Sequence, residues 1–159
     1  MKKALSPAEA TERLEILCAR SEQCSADIRR KLYNWGIGSS QSQRIIERLE
    51  QDRYIDDSRF AKAYVRDKYR FSAWGRIKIT AGLIAKRIPR HIIDEALLEI
   101  DSRTYALTAF KAIRSKLRTL PPDMPRYDIR ARLMRFALSR GYESSLSLRI
   151  IDSQRLWQE

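Results

Sequence analysis

Apolar residues recur along this chain every three or four positions rather than every second one, which predicts helices nearly throughout. Ser6 followed by Pro7 opens the first, with Ala10, Leu14, Leu17 and Cys18 on one face. Ser25 is expected to cap a second helix carrying Ile28, Leu32 and Trp35 and stopped at Gly36. A third opens at Ser39–Ser42 and carries Ile45, Ile46 and Leu49. Asp56-Asp57 begins a fourth, with Phe60, Tyr64 and Phe71 expected inside. The fifth runs from about Trp74 to Lys86. Ile77-Lys78-Ile79-Thr80 could alternate as a strand, but Ile77, Ala81, Ile84 and Ile88 also fit a helix face, and no partner strand is visible. Gly82 within it costs about 1 kcal/mol relative to alanine. The sixth carries Ile92, Ile93, Ala96, Leu97 and Ile100. The seventh has the clearest stripe, Ala106, Ala109, Phe110, Ile113, Leu117 and Leu120, before Pro121 and Pro122. An eighth carries Ile129, Leu133, Phe136 and Ala137 and ends at Gly141; a ninth holds Leu146, Ile150 and Ile151.

Nine helices fall into threes. Ile28-x3-Leu32-x3-Gly36-Ile37 aligns with Ile79-x3-Leu83-x3-Arg87-Ile88 and with Leu133-x3-Ala137-x3-Gly141-Tyr142. An isoleucine pair follows each: Ile45-Ile46, Ile92-Ile93 and Ile150-Ile151. The expected fold is all-α, three tandem three-helix repeats at residues 6–52, 56–100 and 102–155 that form an elongated, curved array. In such an array each unit is covered partly by its neighbours. A single nine-helix globule is the alternative.

Composition narrows the function. The chain has 159 residues, two cysteines and one histidine, too few for an ordinary closed zinc site. It has five glycines and no GxxxxGK[ST] or GxGxxG phosphate cradle. Cys18 and Cys24 are expected to be packed or free thiols, and His91 to be structural. Asp56-Asp57 reads as a helix start, its second carboxylate accepting from the free amides of the first turn, rather than as a metal pair. No apolar run approaches 18 residues, and Met1 to Glu12 carry charges and Pro7 where a leader would be apolar, so a cytoplasmic protein is expected. No cofactor and no catalysis are expected.

Charge changes the picture most. The formal net charge is +12, from 32 Lys/Arg and 20 Asp/Glu, and it is uneven. Residues 1–58 are neutral overall, 59–93 carry +9, 94–101 carry −4 and 102–149 carry +8. Self-repulsion makes that imbalance costly unless a polyanion or an acidic protein surface meets it. At about 100° per residue, Arg59, Lys62, Arg66 and Arg70 fall within roughly 80° of one helix face. Arg76, Lys78, Lys86 and Arg87 extend the charge into the next helix, and Arg130, Arg132 and Arg135 make a second cluster. Guanidinium groups suit phosphates and carboxylates through paired hydrogen bonds. Trp35 is expected in the core; Trp74, beside Gly75 and among cations, is either core or a stacking platform for bases.

Several segments resemble the RecX family of bacterial recombination regulators. Ser21 to Leu32 is similar to its first-repeat signature, and Arg53-Tyr-Ile-Asp-Asp-Ser-Arg-Phe-Ala61 to its most recognisable block. Trp74-Gly-Arg-Ile-Lys-Ile79 resembles the second repeat, and Arg135-Phe-Ala-Leu-Ser-Arg-Gly-Tyr142 the third. Arg53 and Arg87 stand where the family commonly has glycine, so a non-glycine residue must serve a helix-end turn. The resemblance implies a non-enzymatic regulator in the groove of the RecA–single-stranded DNA filament. Such a regulator modulates, mainly by inhibiting, the recombinase, ATPase and co-protease activities of RecA. The implied partners are the RecA filament and single-stranded or double-stranded DNA, with no membrane and a monomeric state. The basic residues named above are then the contact candidates. The rival reading is a helical DNA-binding protein acting by itself, of nucleoid or transcription-factor type.

Overall fold

The computed structural model describes residues 5–158; the first four residues of the segment read as lacking a leader lie outside that range. Ten helices occur among the described residues: α1 (Pro7–Arg20), α2 (Ser25–Asn34), α3 (Ser39–Gln51), α4 (Asp57–Ser72), α5 (Arg76–Ala85), α6 (Arg90–Leu97), α7 (Ser102–Leu117), α8 (Arg126–Ser139), α9 (Ser144–Ile151) and α10 (Gln154–Trp157). The sequence pattern did not anticipate the single turn of α10. The most closely packed helix pairs join α1–α3, α4–α6 or α7–α9 among themselves, so the chain is three consecutive three-helix units. Among the described residues no helix is long and apolar enough to cross a membrane.

The internal alignment holds at the level of single hydrogen bonds. After each middle helix, an amide five residues on reaches back over a left-handed residue. Ile37 donates to the Leu32 carbonyl at 3.0 Å, Ile88 to Leu83 at 3.1 Å, and Tyr142 to Ala137 at 3.1 Å. This is the Schellman closure, which needs positive φ at its turn residue. Gly36 (φ 78°) and Gly141 (φ 87°) supply it at no steric cost, and Arg87 (φ 57°) supplies it under strain. Arg53 (φ 59°) does the same after α3, where Tyr54 donates to Leu49 at 2.8 Å. Both arginines expected to serve a helix-end turn in place of glycine are therefore left-handed.

The apolar side chains form two cores. Ala10, Leu14, Ile28, Leu32, Ile46, Leu49 and Ile55 close the first unit on itself, with Trp35 half-buried against them. The second core is common to units 2 and 3, running from Phe60, Val65, Ile79 and Leu83 through Tyr105 and Ile113 to Leu133 and Tyr142. Only the start of α2, at Cys24 and Ala26, reaches into it. Cys24 and Cys18 are free thiols; burial raises the Cys24 thiol to about 11.

Four local expectations need correction. Asp56, not Asp57, caps α4, its carboxylate accepting from the Arg59 amide at 3.0 Å. Ser25 is the first residue of α2 rather than its cap, and Cys24 at the cap position makes no side-chain capping bond. Asp57 does that work from another unit: it accepts from the Ser25 amide at 2.9 Å and from its hydroxyl at 2.6 Å. Phe71 is 85% exposed: it lies on the opposite side of the last turn of α4 from Tyr69, which is the residue that stacks on Tyr105. On α5 the buried face is Ile79 and Leu83, whereas Ile77, Ala81 and Ile84 face out. Gly82 has a packing reason: a Cβ there would lie 2.1 Å from the Tyr64 hydroxyl, so the glycine lets α5 settle on α4.

Candidate functional site

Six of the eleven predicted contact residues are engaged with carboxylates of this same chain. Arg59 meets Glu22 at 2.6 Å and also donates to the Arg53 and Tyr54 carbonyls. Lys62 meets Glu95 at 3.0 Å, and Arg66 meets Glu99 at 3.8 Å. The acidic segment 94–101 thus lies along the basic face of α4, because α6 packs against α4. The Glu95 hydrogen bond makes Lys62 hold its proton more tightly than usual. Arg130 forks onto Asp152 with bonds of 2.9 and 3.0 Å.

The other two paired residues work at the joints between units. Lys86 donates to Asp27 at 2.6 Å, tying the end of α5 to α2. Burial alone would raise the Asp27 carboxyl, but hydrogen bonds from Lys86 and Cys24 outweigh it and hold the group below its ordinary value. Arg76 lies 3.9 Å over the Tyr105 ring and 3.5 Å from Glu143. Tyr105 donates to Glu143 at 2.6 Å and accepts from the Arg76 amide at 3.0 Å.

Arg70, Lys78, Arg87, Arg132 and Arg135 make no ion pair among the described residues. Lys78 instead sits 4.5 Å from the centre of the Trp74 indole, and Lys68 sits 4.7 Å from the same ring. Two ammonium groups on one half-buried indole attract the ring but repel each other. Lys68 was outside the predicted face, about 180° from Arg59 on α4. Its signal was the spacing Lys68…Trp74…Lys78 around a helix–turn–helix. The turn bearing Trp74 is pinned from unit 3: Tyr142 donates to the Ala73 carbonyl at 2.6 Å, and Arg140 donates to that of Ser72. No group of three or more His, Cys, Asp or Glu side chains among the described residues could hold a metal.

The surface is therefore a three-unit scaffold with its basic side chains divided between internal ties and free cations. Comparison with known proteins places that scaffold. The model of the RecX second three-helix domain matches residues 56–97. The regulatory protein RecX of Pelodictyon phaeoclathratiforme is 31% identical over 138 residues, covering 87% of this chain and 83% of that protein. The RecX of Clostridium perfringens strain SM101 is 33% identical over 117 residues, covering 73% of this chain and 54% of that protein. The chain thus spans little more than half the length of this clostridial relative. The crystal structure of RecX from Lactobacillus salivarius shares the fold with a TM-score of 0.81 at 19% identity, over 94% of this chain and 96% of that one. A second RecX crystal structure gives 0.84 at 24% identity, over 92% and 73%. Sequence relatives and fold agree that this chain belongs to the RecX family of regulatory proteins.

Proposed function

We propose that this chain regulates RecA by lying in the groove of its filament on single-stranded DNA. There it inhibits the filament's recombinase, ATPase and co-protease activities without catalysing a reaction of its own. The observation that supports this reading most is the cationic surplus of units 2 and 3 that internal pairing leaves over. Lys68, Arg70, Lys78, Arg87, Arg132 and Arg135 keep no carboxylate of their own. A DNA-loaded filament presents the polyanion that such a surface needs. Three units in series give it several points of attachment, and a monomer suffices because groove binding needs no symmetry. The paired residues Arg59, Lys62, Arg66, Arg76, Lys86 and Arg130 shape the scaffold at rest.

The test is RecA preassembled on oligo(dT), with ATP hydrolysis and binding followed as this protein is added. Hydrolysis is expected to fall as the protein saturates the filament. Changing Lys68, Lys78, Arg132 and Arg135 to glutamine should weaken binding and flatten its salt dependence, by about 0.7 in slope per lost phosphate contact. Glutamine at Arg59, Lys62, Arg66 and Arg130 should leave that slope nearly unchanged. Equal slopes for the two sets would defeat this assignment of the contact.

A further inference from the structure

We propose that the outward face of α5 is a protein-docking stripe for a partner surface that carries an apolar anchor bordered by carboxylates. The proposal rests on the reading above, that the partner is a RecA filament, and assigns the protein half of that contact. α5 has the sequence RIKITAGLIA, without one acidic residue. Its exposed positions are Ile77, Ala81, Ile84 and Ala85, all apolar, within about 100° of arc. Ile77 is 54% exposed and Ile84 55%. Its opposite face, Ile79 and Leu83, is fully buried. α5 thus carries two apolar faces, parted by Arg76, Lys78 and Thr80, and only one of them is covered. In a chain that is one-third charged, an uninterrupted apolar helix face is not ordinary surface.

The stripe continues at both ends. The Ile77 amide bonds to the Gly141 carbonyl at 3.0 Å, and Leu138, 48% exposed, stands one turn back on α8. At the other end Ala85 and Arg87 face Arg29, Arg30 and Tyr33 of α2 across a groove also lined by Asp27, whose carboxylate is already taken by Arg30 and Lys86.

Charge selects the occupant. Lys78 and Arg87 bracket the stripe and are without carboxylate partners, while Arg29 across the groove bonds only to Gln43. A second copy of this chain would bring the same cations face to face, so self-association is disfavoured. A nucleic-acid backbone is held by polar and cationic donors, and the exposed arc offers none. A protein surface with apolar side chains at its centre and Asp or Glu at its edge satisfies both the stripe and its border.

The experiment compares the wild-type chain with Ile77→Ser/Ile84→Ser and with Ile77→Ala/Ile84→Ala. Affinity is measured for RecA filaments on oligo(dT) and for the same oligo(dT) without RecA. Circular dichroism and sedimentation accompany both. The serine pair is expected to lose tenfold or more in filament affinity, and the alanine pair threefold or more. Bare oligo(dT) affinity should stay within twofold, with all three chains helical and monomeric. Unchanged filament affinity in a folded variant overturns the stripe and leaves the filament reading intact; if the serine pair misfolds, the alanine pair decides. An equal loss on bare oligo(dT) gives the face to nucleic acid and overturns the proposal. A wild-type dimer dissolved by the serine pair gives it to a second copy and also overturns it. If the wild-type chain ignores filaments altogether, the filament reading fails first and the stripe's assignment falls with it.

Discussion

The joint between units 1 and 2 and the joint between units 2 and 3 hold neighbouring copies of one motif together in different ways. At the first, side-chain charge does most of the holding: Asp57 on Ser25, Lys86 on Asp27 and Arg59 on Glu22. Behind these ties the apolar core of unit 1 is separate. At the second, backbone meets backbone. The Gly75 amide donates to the Arg140 carbonyl at 2.7 Å and that of Ile77 to Gly141 at 3.0 Å, so the end of α8 caps the start of α5. The two helix ends carry opposite partial charge, which favours their meeting. A shared core lies beneath, with Tyr105 and Tyr142 among its largest buried side chains. Units 2 and 3 should therefore behave as one cooperative body and unit 1 as a satellite, a pattern that a repeat array permits when its interfaces are unequal.

The largest expected effect separates the two bodies. Leu133→Ala and Leu14→Ala both empty fully buried positions and should each cost about 2–5 kcal/mol. In urea, monitored by hydrogen exchange, Leu133→Ala should weaken protection on α4–α9 together and leave α1–α3 nearly unchanged. Leu14→Ala should do the reverse. Uniform loss across the chain in both variants would mean that the joints are equally strong.

Gly75→Ala comes next. A Cβ there would stand 2.2 Å from the Gly141 carbonyl oxygen, and neither backbone can yield cheaply. Overpacking of this kind costs about 1–3 kcal/mol. The loss should appear in the urea midpoint of units 2 and 3. An unchanged midpoint would show that the α8–α5 contact carries little.

The two joints should also fail at opposite ends of the pH scale. Asp27 titrates below its ordinary 3.8 in the folded chain. Its contribution is complete above that value and is lost as pH falls through the folded value, so acid loosens unit 1 first. The tyrosines run the other way. Burial pushes Tyr142 up to about 12; burial, then its bond to Glu143, pushes Tyr105 higher still. Their contribution is complete below the ordinary 10.0 and declines from there to about 12 and beyond, so alkali attacks units 2 and 3. Exchange-detected unfolding at pH 3 and at pH 11 should begin in different units. A common starting point at both extremes would contradict the contrast.

The smallest effect is a gain. Arg87→Gly relieves a left-handed arginine, and after the greater flexibility of the unfolded chain is deducted it should stabilise by about 0.5–1 kcal/mol. A lower melting temperature would show that the arginine side chain contributes more than its backbone costs.

Much of this architecture is legible in the sequence because repetition disciplines it. Leu32, Leu83 and Ala137 occupy one register, and all three are buried. The face of α5 was harder to read: Ile77/Ala81/Ile84 and Ile79/Leu83 are both apolar series at helical spacing, so periodicity alone does not choose between them. Asp57 was legible as belonging to a helix start, but not to which helix, since its partner lies 32 residues away. The basic face of α4 was visible as a wheel of four cations. That Glu95 and Glu99 lie against it depends on how α6 packs, which spacing along one helix does not reveal.

The α8–α5 contact also sets an order of events on the ribosome. The amide of Gly75 waits for the carbonyl of Arg140, about 65 residues later in the chain. At roughly 5–20 residues per second, α5 emerges about 3–13 seconds before its N-terminal cap has been synthesised. During that interval the inner face of α5, Ile79 and Leu83, lacks the part of its cover that unit 3 supplies, while unit 1, whose core is local, can already be closed. A stalled or truncated chain would thus release a finished first unit joined to an unfinished second one, and α5 is the segment that chaperones and proteases would meet.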